Sequence, residues 1–315
     1  MDRRMLLAGA AALAALGGGL LWWRRRAELS AFLSAEEFSA RHAEPLPPPA
    51  GPMTVYHLGH SLVGRDMPAM LAQLAGHTHH SQLGWGASLK QHWEPDEPVP
   101  GFDTENAHPA HRPAREAIAS GGYDAVILTE MVEIRDAIRY HDSGRCLAEW
   151  ARAARAANPD VRIYLYETWH RLDDPAGWTD RIRDDLPGQW EAIMRKAMAQ
   201  EGTGTIHLIP AGTAMAALVA RIEAGEVPGL ARREDLFGKN PDGTQDMIHP
   251  NDLGAYFVAL VHYATLYHRS PEGMPHALIR ADGRPADAPS PEAARIMAQV
   301  AWQTVSGYAA TGVAP

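Results

Sequence analysis

The sequence predicts an α/β protein: a central, mostly parallel sheet with helices on both faces. Three observations carry this. From Met53 onward, short strand-like runs alternate with longer helix-like runs. One strand-like run, Asp124–Leu128 (DAVIL), is almost wholly apolar, as strands buried on both faces are. The chain has 315 residues, 46% hydrophobic and 21% charged, which is enough for one large core. The same composition excludes a disordered chain, a collagen, a coiled-coil rod and a polytopic membrane protein.

The elements follow in order. Thr54–Leu58 reads as the first strand, and Asp66–Ala75 as a helix that Gly76 ends. DAVIL is the second strand. Ser143–Ala157 is an amphipathic helix stopped by Asn158-Pro159. Val161–Tyr166 is a strand, Gln189–Gln200 a helix, Thr205–Ile209 a strand and Thr213–Ala224 a helix. Asn251–Tyr267 forms a long helix, and Pro291–Ser306 the last one. Cys146, the only cysteine, falls inside a helix and reads as a buried thiol; a disulfide framework is excluded.

The N-terminus has its own character. Asp2-Arg3-Arg4 precedes Met5–Trp23, nineteen residues without charge, and Arg24-Arg25-Arg26 follow. A basic start before an apolar run reads as an export signal, and Arg3-Arg4-Met5-Leu6-Leu7 resembles a twin-arginine signal. The run approaches the ~20 residues that span a bilayer, and Trp22 and Trp23 suit its interface. The expectation is an exported protein, periplasmic or anchored in the inner membrane by residues 5–23, touching membrane through that segment only. Residues 27–52, with Pro45-Leu46-Pro47-Pro48-Pro49, read as a semi-rigid spacer. A domain is expected over 53–270, with a C-terminal extension bearing one helix over 271–315.

Net charge is −9. The first 26 residues hold five arginines and one acid, which leaves 24 basic and 37 acidic residues, or −13, in the rest. So acidic a body is a poor partner for a phosphate backbone, and no nucleic acid is expected. Sixteen histidines raise the question of a metal. His77, His79 and His80 cluster, as do His108 and His111, without an HExxH pattern. They read as solvated polar loops, and neither metal nor cofactor is expected.

In parallel α/β sheets, ligands bind beyond the carboxyl ends of the strands. Gly59-His60-Ser61-Leu62 follows the first strand, Thr129-Glu130 the second and Glu167-Thr168-Trp169-His170 the third. Asp246-Met247-Ile248-His249-Pro250 precedes the long helix. A serine hydroxyl needs a base, and the base needs an orienting group. Ser61, His249 and Asp246 supply that set, and chain order is no obstacle to such a triad.

GHSL at 59–62, GWGASLKQHW at 84–93, YDAVILTE at 123–130, ETW at 167–169 and the block from DMIHPND (246–252) onward together resemble the SGNH (GDSL-like) hydrolase superfamily, in a poorly characterised bacterial branch. The resemblance spans roughly 53–270. It implies a flavodoxin-like three-layer α/β/α fold. It also implies a serine nucleophile at Ser61, whose N–H serves the oxyanion hole, with His249 as base and Asp246 as its partner. Gly86 matches the glycine that gives a second N–H, with Gly84 as the alternative register.

Two positions depart from the family pattern. His60 stands where an aspartate is usual, and Thr129-Glu130-Met131 replaces the block that carries an asparagine donor. One missing donor costs ~10²–10³ in rate. Thr129 can donate through its hydroxyl, but Glu130 only when protonated. His60, Glu130, Trp169 and His170 are the substrate-pocket candidates, and Trp93 is similar. The expected activity is a serine esterase removing small acyl groups, O-acetyl above all, from a carbohydrate. The alternatives are a polysaccharide O-acyltransferase on the same triad and a catalytically silent glycan-binding protein.

Overall fold

A computed structural model describes residues 31–315; the expected signal or anchor segment, residues 5–23, lies outside them. Five parallel strands form the central sheet: β1 (Thr54–His60), β2 (Thr78–Gly84), β3 (Ala125–Leu128), β4 (Arg162–Glu167) and β5 (His207–Pro210). Their order is 2-1-3-4-5, the flavodoxin-like order. The fold is therefore the three-layer α/β/α architecture that the sequence and its resemblance imply.

Side chains alternate along each strand and so build two cores. Val55, Ile127, Tyr164, Tyr166 and Ile209 face the helices Asp66–Ala75, Ala211–Glu223, Asp252–Tyr267 and Pro291–Ser306. Tyr56, Leu58, Val126, Leu128 and Leu165 face the helices Ser143–Ala157 and Glu191–Met198. Every residue of the helix Asp252–Tyr267 except Leu253 is buried. It packs against both Asp66–Ala75 and Pro291–Ser306, so it needs no polar face. Cys146 is fully buried, and burial pushes its thiol up to about 12.

Three regions differ from the sequence reading. Residues 77–80 were expected as a polar loop, but Thr78–Gly84 is the edge strand β2. Its polar start hides it from periodicity, because Thr78 is exposed and only Ser81–Gly84 are buried. His77 and His80 are not free loop residues: their Nδ1 atoms lie 2.8 Å from the Tyr267 hydroxyl and 3.0 Å from that of Tyr123. The loop bearing His108 and His111 covers the free side of β2. Ser81 N–H donates to the Ala110 carbonyl at 3.0 Å, and Arg112 N–H to that of Ser81 at 3.2 Å.

The second region is the expected spacer. Its helix Ala35–Arg41 starts with a capping box from Ser34 and Glu37 and buries Phe38. His42 Nε2 lies 2.9 Å from the Ile206 carbonyl, and Leu46 N–H donates to Gly312 at 2.8 Å. These residues are docked on the domain rather than extended from it. The third region is an antiparallel hairpin, β6 (Phe237–Lys239) with β7 (Gln245–Pro250), which carries Asp246 and His249. Among the described residues, no helix is long and apolar enough to cross a membrane.

Candidate active site

Register places the site. His60, the last residue of β1, pairs with Gly84, the last of β2. The residues that follow, Ser61 on one side and Trp85-Gly86 on the other, therefore leave the sheet side by side. Gly84 is buried in its strand. Gly86 is exposed with φ +57°, and nothing lies within 4 Å of where a Cβ would stand. That left-handed backbone favours glycine and leaves only main chain at this point of the wall.

Ser61, Asp246 and His249 come together. Ser61 Oγ lies 3.0 Å from His249 Nε2, and His249 Nδ1 lies 2.9 Å from Asp246 Oδ2. The second Asp246 oxygen accepts the N–H groups of Ile248 and His249, both at 2.9 Å. Partial burial works against the Asp246 charge. These two N–H groups and the imidazole outweigh it and hold the carboxyl below its usual range. An ionised Asp246 accepts at Nδ1–H, which leaves the Nε2 lone pair facing the serine hydroxyl.

The hairpin is fixed from beneath. Trp169 Nε1–H donates to the Ile248 carbonyl at 2.9 Å, and Leu172 N–H to that of Met247 at 2.8 Å. Asn251 caps the long helix through the N–H groups of Leu253 and Gly254. Its amide also reaches the Asp235 carbonyl at 2.8 Å.

Ser61, His249 and Gly86 open on a cleft of about 600 Å³. Val132 and Ile248 give it apolar walls, and Trp85, Glu105 and Arg171 stand at its polar edge. The sequence reading did not single these five out. Trp85 sits inside the glycine block and Ile248 inside the Asp-x-x-His block. Val132 and Arg171 lie just beyond the strand-end residues of β3 and β4, and Glu105 comes from the helix Phe102–Glu105, which no strand-end signal marks.

The four pocket candidates are all buried, and none lines this cleft. His60 donates from Nε2 to the Glu130 carbonyl at 2.7 Å and accepts the Leu62 N–H on Nδ1 at 3.3 Å. A carbonyl only accepts, which assigns the proton to Nε2. Burial holds this imidazole down at about 4, against the pull of the carbonyl bond, so it is neutral near pH 7. His60 thus ties the turn that carries Ser61 to the end of β3 and does not reach the cleft.

Thr129 is fully buried against Gly59 and is likewise off the cleft wall. Glu130 accepts the N–H groups of Met131 at 3.0 Å and Leu89 at 3.3 Å. Its second oxygen has no well-formed partner, although Ser143 lies beside it. Burial raises the Glu130 carboxyl to about 7 despite these donors. A folded-state value above the unfolded one means that stability is present at low pH and lost as pH rises from about 4.5 to about 7. Glu130→Gln keeps an acceptor for both N–H groups and carries no charge. Its stability advantage over the parent should grow by about 3 kcal/mol across that window. Urea midpoints at pH 5 and pH 8 measure this; an advantage independent of pH overturns the assignment.

Trp169 and Trp178 set their edges against Phe237, with ring centroids 6.3 and 6.2 Å apart. His170 lies 3.2 Å from the buried Asp185. Among the described residues, Glu133, His170 and Asp174 are the one set with donors close enough to share a metal ion. The Arg181 guanidinium already fills that role, bonding Glu133 at 3.0 Å, Asp174 at 2.7 Å and Asp185 at 3.0 Å. Trp93 packs edge-on against Trp150 at 4.8 Å under Arg115, away from the cleft.

No family model matches the sequence, and neither does any curated protein. Two solved structures are similar. One, described as a GDSL-like lipase from Parabacteroides merdae, is 12% identical over 66% of this chain and 93% of its own, with a TM-score of 0.39. The other is a carbohydrate esterase family 2 enzyme with a carbohydrate-binding domain from Corynascus thermopiles (Myceliophthora fergusii). It is 10% identical over 52% of this chain and 57% of its own, with a TM-score of 0.29. At such identities a likeness concerns the fold and not the chemistry.

Proposed function

We propose that this chain is a serine ester hydrolase that removes small acyl groups, O-acetyl foremost, from a carbohydrate outside the cytoplasm. The observation that carries the reading is the continuous relay from Asp246 through His249 to Ser61, with the serine open to the cleft. Ser61 Oγ attacks the acyl carbonyl while His249 Nε2 takes its proton. In this reading the main-chain N–H groups of Ser61 and Gly86, both at the cleft, stabilise the developing oxyanion. His249 returns the proton to the departing alcohol, leaving an acyl-serine. Water, deprotonated by the same imidazole, then releases the acid and restores the hydroxyl. Neither Thr129 nor Glu130 serves as the third oxyanion donor, because both are buried away from the cleft. The N-terminal sequence supports export.

A fluorophosphonate probe tests the reading, since it reacts only with an activated serine. The expected result is one adduct per chain on Ser61, together with release of acetate from ethyl acetate. A chain that forms no adduct is no hydrolase, and a glycan-binding role then takes its place.

A further inference from the structure

We infer that Trp85 is the platform on which the sugar ring of the substrate stacks, which makes this cleft selective for O-acylated pyranosides; the inference rests on the esterase reading above. Trp85 is the one exposed tryptophan among the described residues, at 55% exposure, and it lines the same cleft as Ser61 and His249. An exposed indole gains little for the fold, yet this one is fixed at three points. Its backbone N–H donates to the Pro100 carbonyl at 2.7 Å, and its ring Nε1–H to the Glu105 carboxylate at 2.8 Å. The ring also lies over Gly101, where a Cβ would stand 2.3 Å from it. Gly101 has φ +67°, so the backbone and the missing side chain both serve this placement.

A rigid aromatic surface offers contact area with little ordering cost. Its electron-rich face suits the C–H face of a pyranose, whose outward hydroxyls need polar partners at the rim. Those partners are present. Arg171 lines the cleft with Nε and one terminal nitrogen held by Asp173 at 2.9 and 3.0 Å, leaving its other terminal nitrogen for a sugar oxygen. The Glu105 oxygen not bonded to the indole is an acceptor on the same wall.

Two acetates separate the sugar subsite from the chemistry: ethyl acetate, which has no ring, and a methyl 6-O-acetyl-glucopyranoside. The parent chain should prefer the pyranoside in kcat/KM. Trp85→Ala should lower kcat/KM for the pyranoside about tenfold through KM, and change that for ethyl acetate by less than twofold. Trp85→Phe should restore most of the loss. Gly101→Ala, which drives a methyl into the indole, should reproduce the Trp85→Ala pattern. Equal losses on both acetates, or a parent chain without preference for the ring, overturn the platform and leave the esterase intact. If neither ester is hydrolysed in a Ser61-dependent way, the esterase reading fails and the platform with it.

Discussion

Ser61→Ala and Asp246→Asn are each expected to lower kcat on ethyl acetate by roughly 10⁴-fold while the fold stays intact. The serine variant removes the atom that carries the acyl group. The asparagine variant is the sharper test, because it keeps the shape of the site. Its amide oxygen can still accept the N–H groups of Ile248 and His249, which now bond Asp246 at 2.9 Å. Its NH₂ then faces His249 Nδ1. That nitrogen must become the acceptor, so the imidazole proton moves to Nε2 and points at the serine. In that tautomer His249 cannot take the hydroxyl proton. Ser61 is only partly buried and His249 is exposed, so losing the hydroxyl should shift stability by less than about 0.5 kcal/mol. Rates by pH-stat, beside thermal melts, decide the matter. A Ser61→Ala chain that keeps a tenth of the parent rate removes the triad from the mechanism.

Much of this site was legible because it lies where chain chemistry and topology coincide. A glycine-flanked serine after a strand, and an Asp-x-x-His pair before a helix, are local patterns. The rule that ligands meet the strand ends put them on one edge. The hidden parts depend on contacts between distant segments. β2 was missed because an edge strand with a polar start has no periodic signal, and with it went the pairing of His60 with Gly84 that sets Trp85 beside Ser61. His60, Glu130, Trp169 and His170 share the right strand ends, yet their side chains turn inward. Position along a strand does not say which face of a turn a side chain takes. Glu130 illustrates this: an ionised carboxylate near an oxyanion would oppose catalysis, but this one is buried off the cleft, where burial disfavours its charge and one oxygen accepts the N–H groups of Leu89 and Met131.

Trp169 is where an inward side chain still governs the site. Its indole is fully buried against Phe237, and its N–H holds the Ile248 carbonyl, one residue before the base. Trp169→Ala empties the space beneath the hairpin and should cost about 3–5 kcal/mol. That loss alone would not distinguish a positioning residue from a packing one. Trp169→Phe makes the distinction, since it keeps an aromatic ring and deletes the donor. Its stability cost should be about 1–3 kcal/mol, from a carbonyl left without its partner. Freed from that tether, residues 247–249 can shift relative to Ser61, and a displacement near 1 Å is worth up to ~10²-fold in rate. The expected result is a kcat on ethyl acetate lowered about tenfold with KM unchanged, measured well below the melting temperature. Labelling of Ser61 by the fluorophosphonate should slow in parallel, because that reaction needs the same serine–imidazole distance and involves no sugar contact. A Trp169→Phe chain that melts earlier but turns over at the parent rate would make Trp169 a packing residue, leaving the 2.8 Å bond from Leu172 to Met247 to hold the hairpin in place.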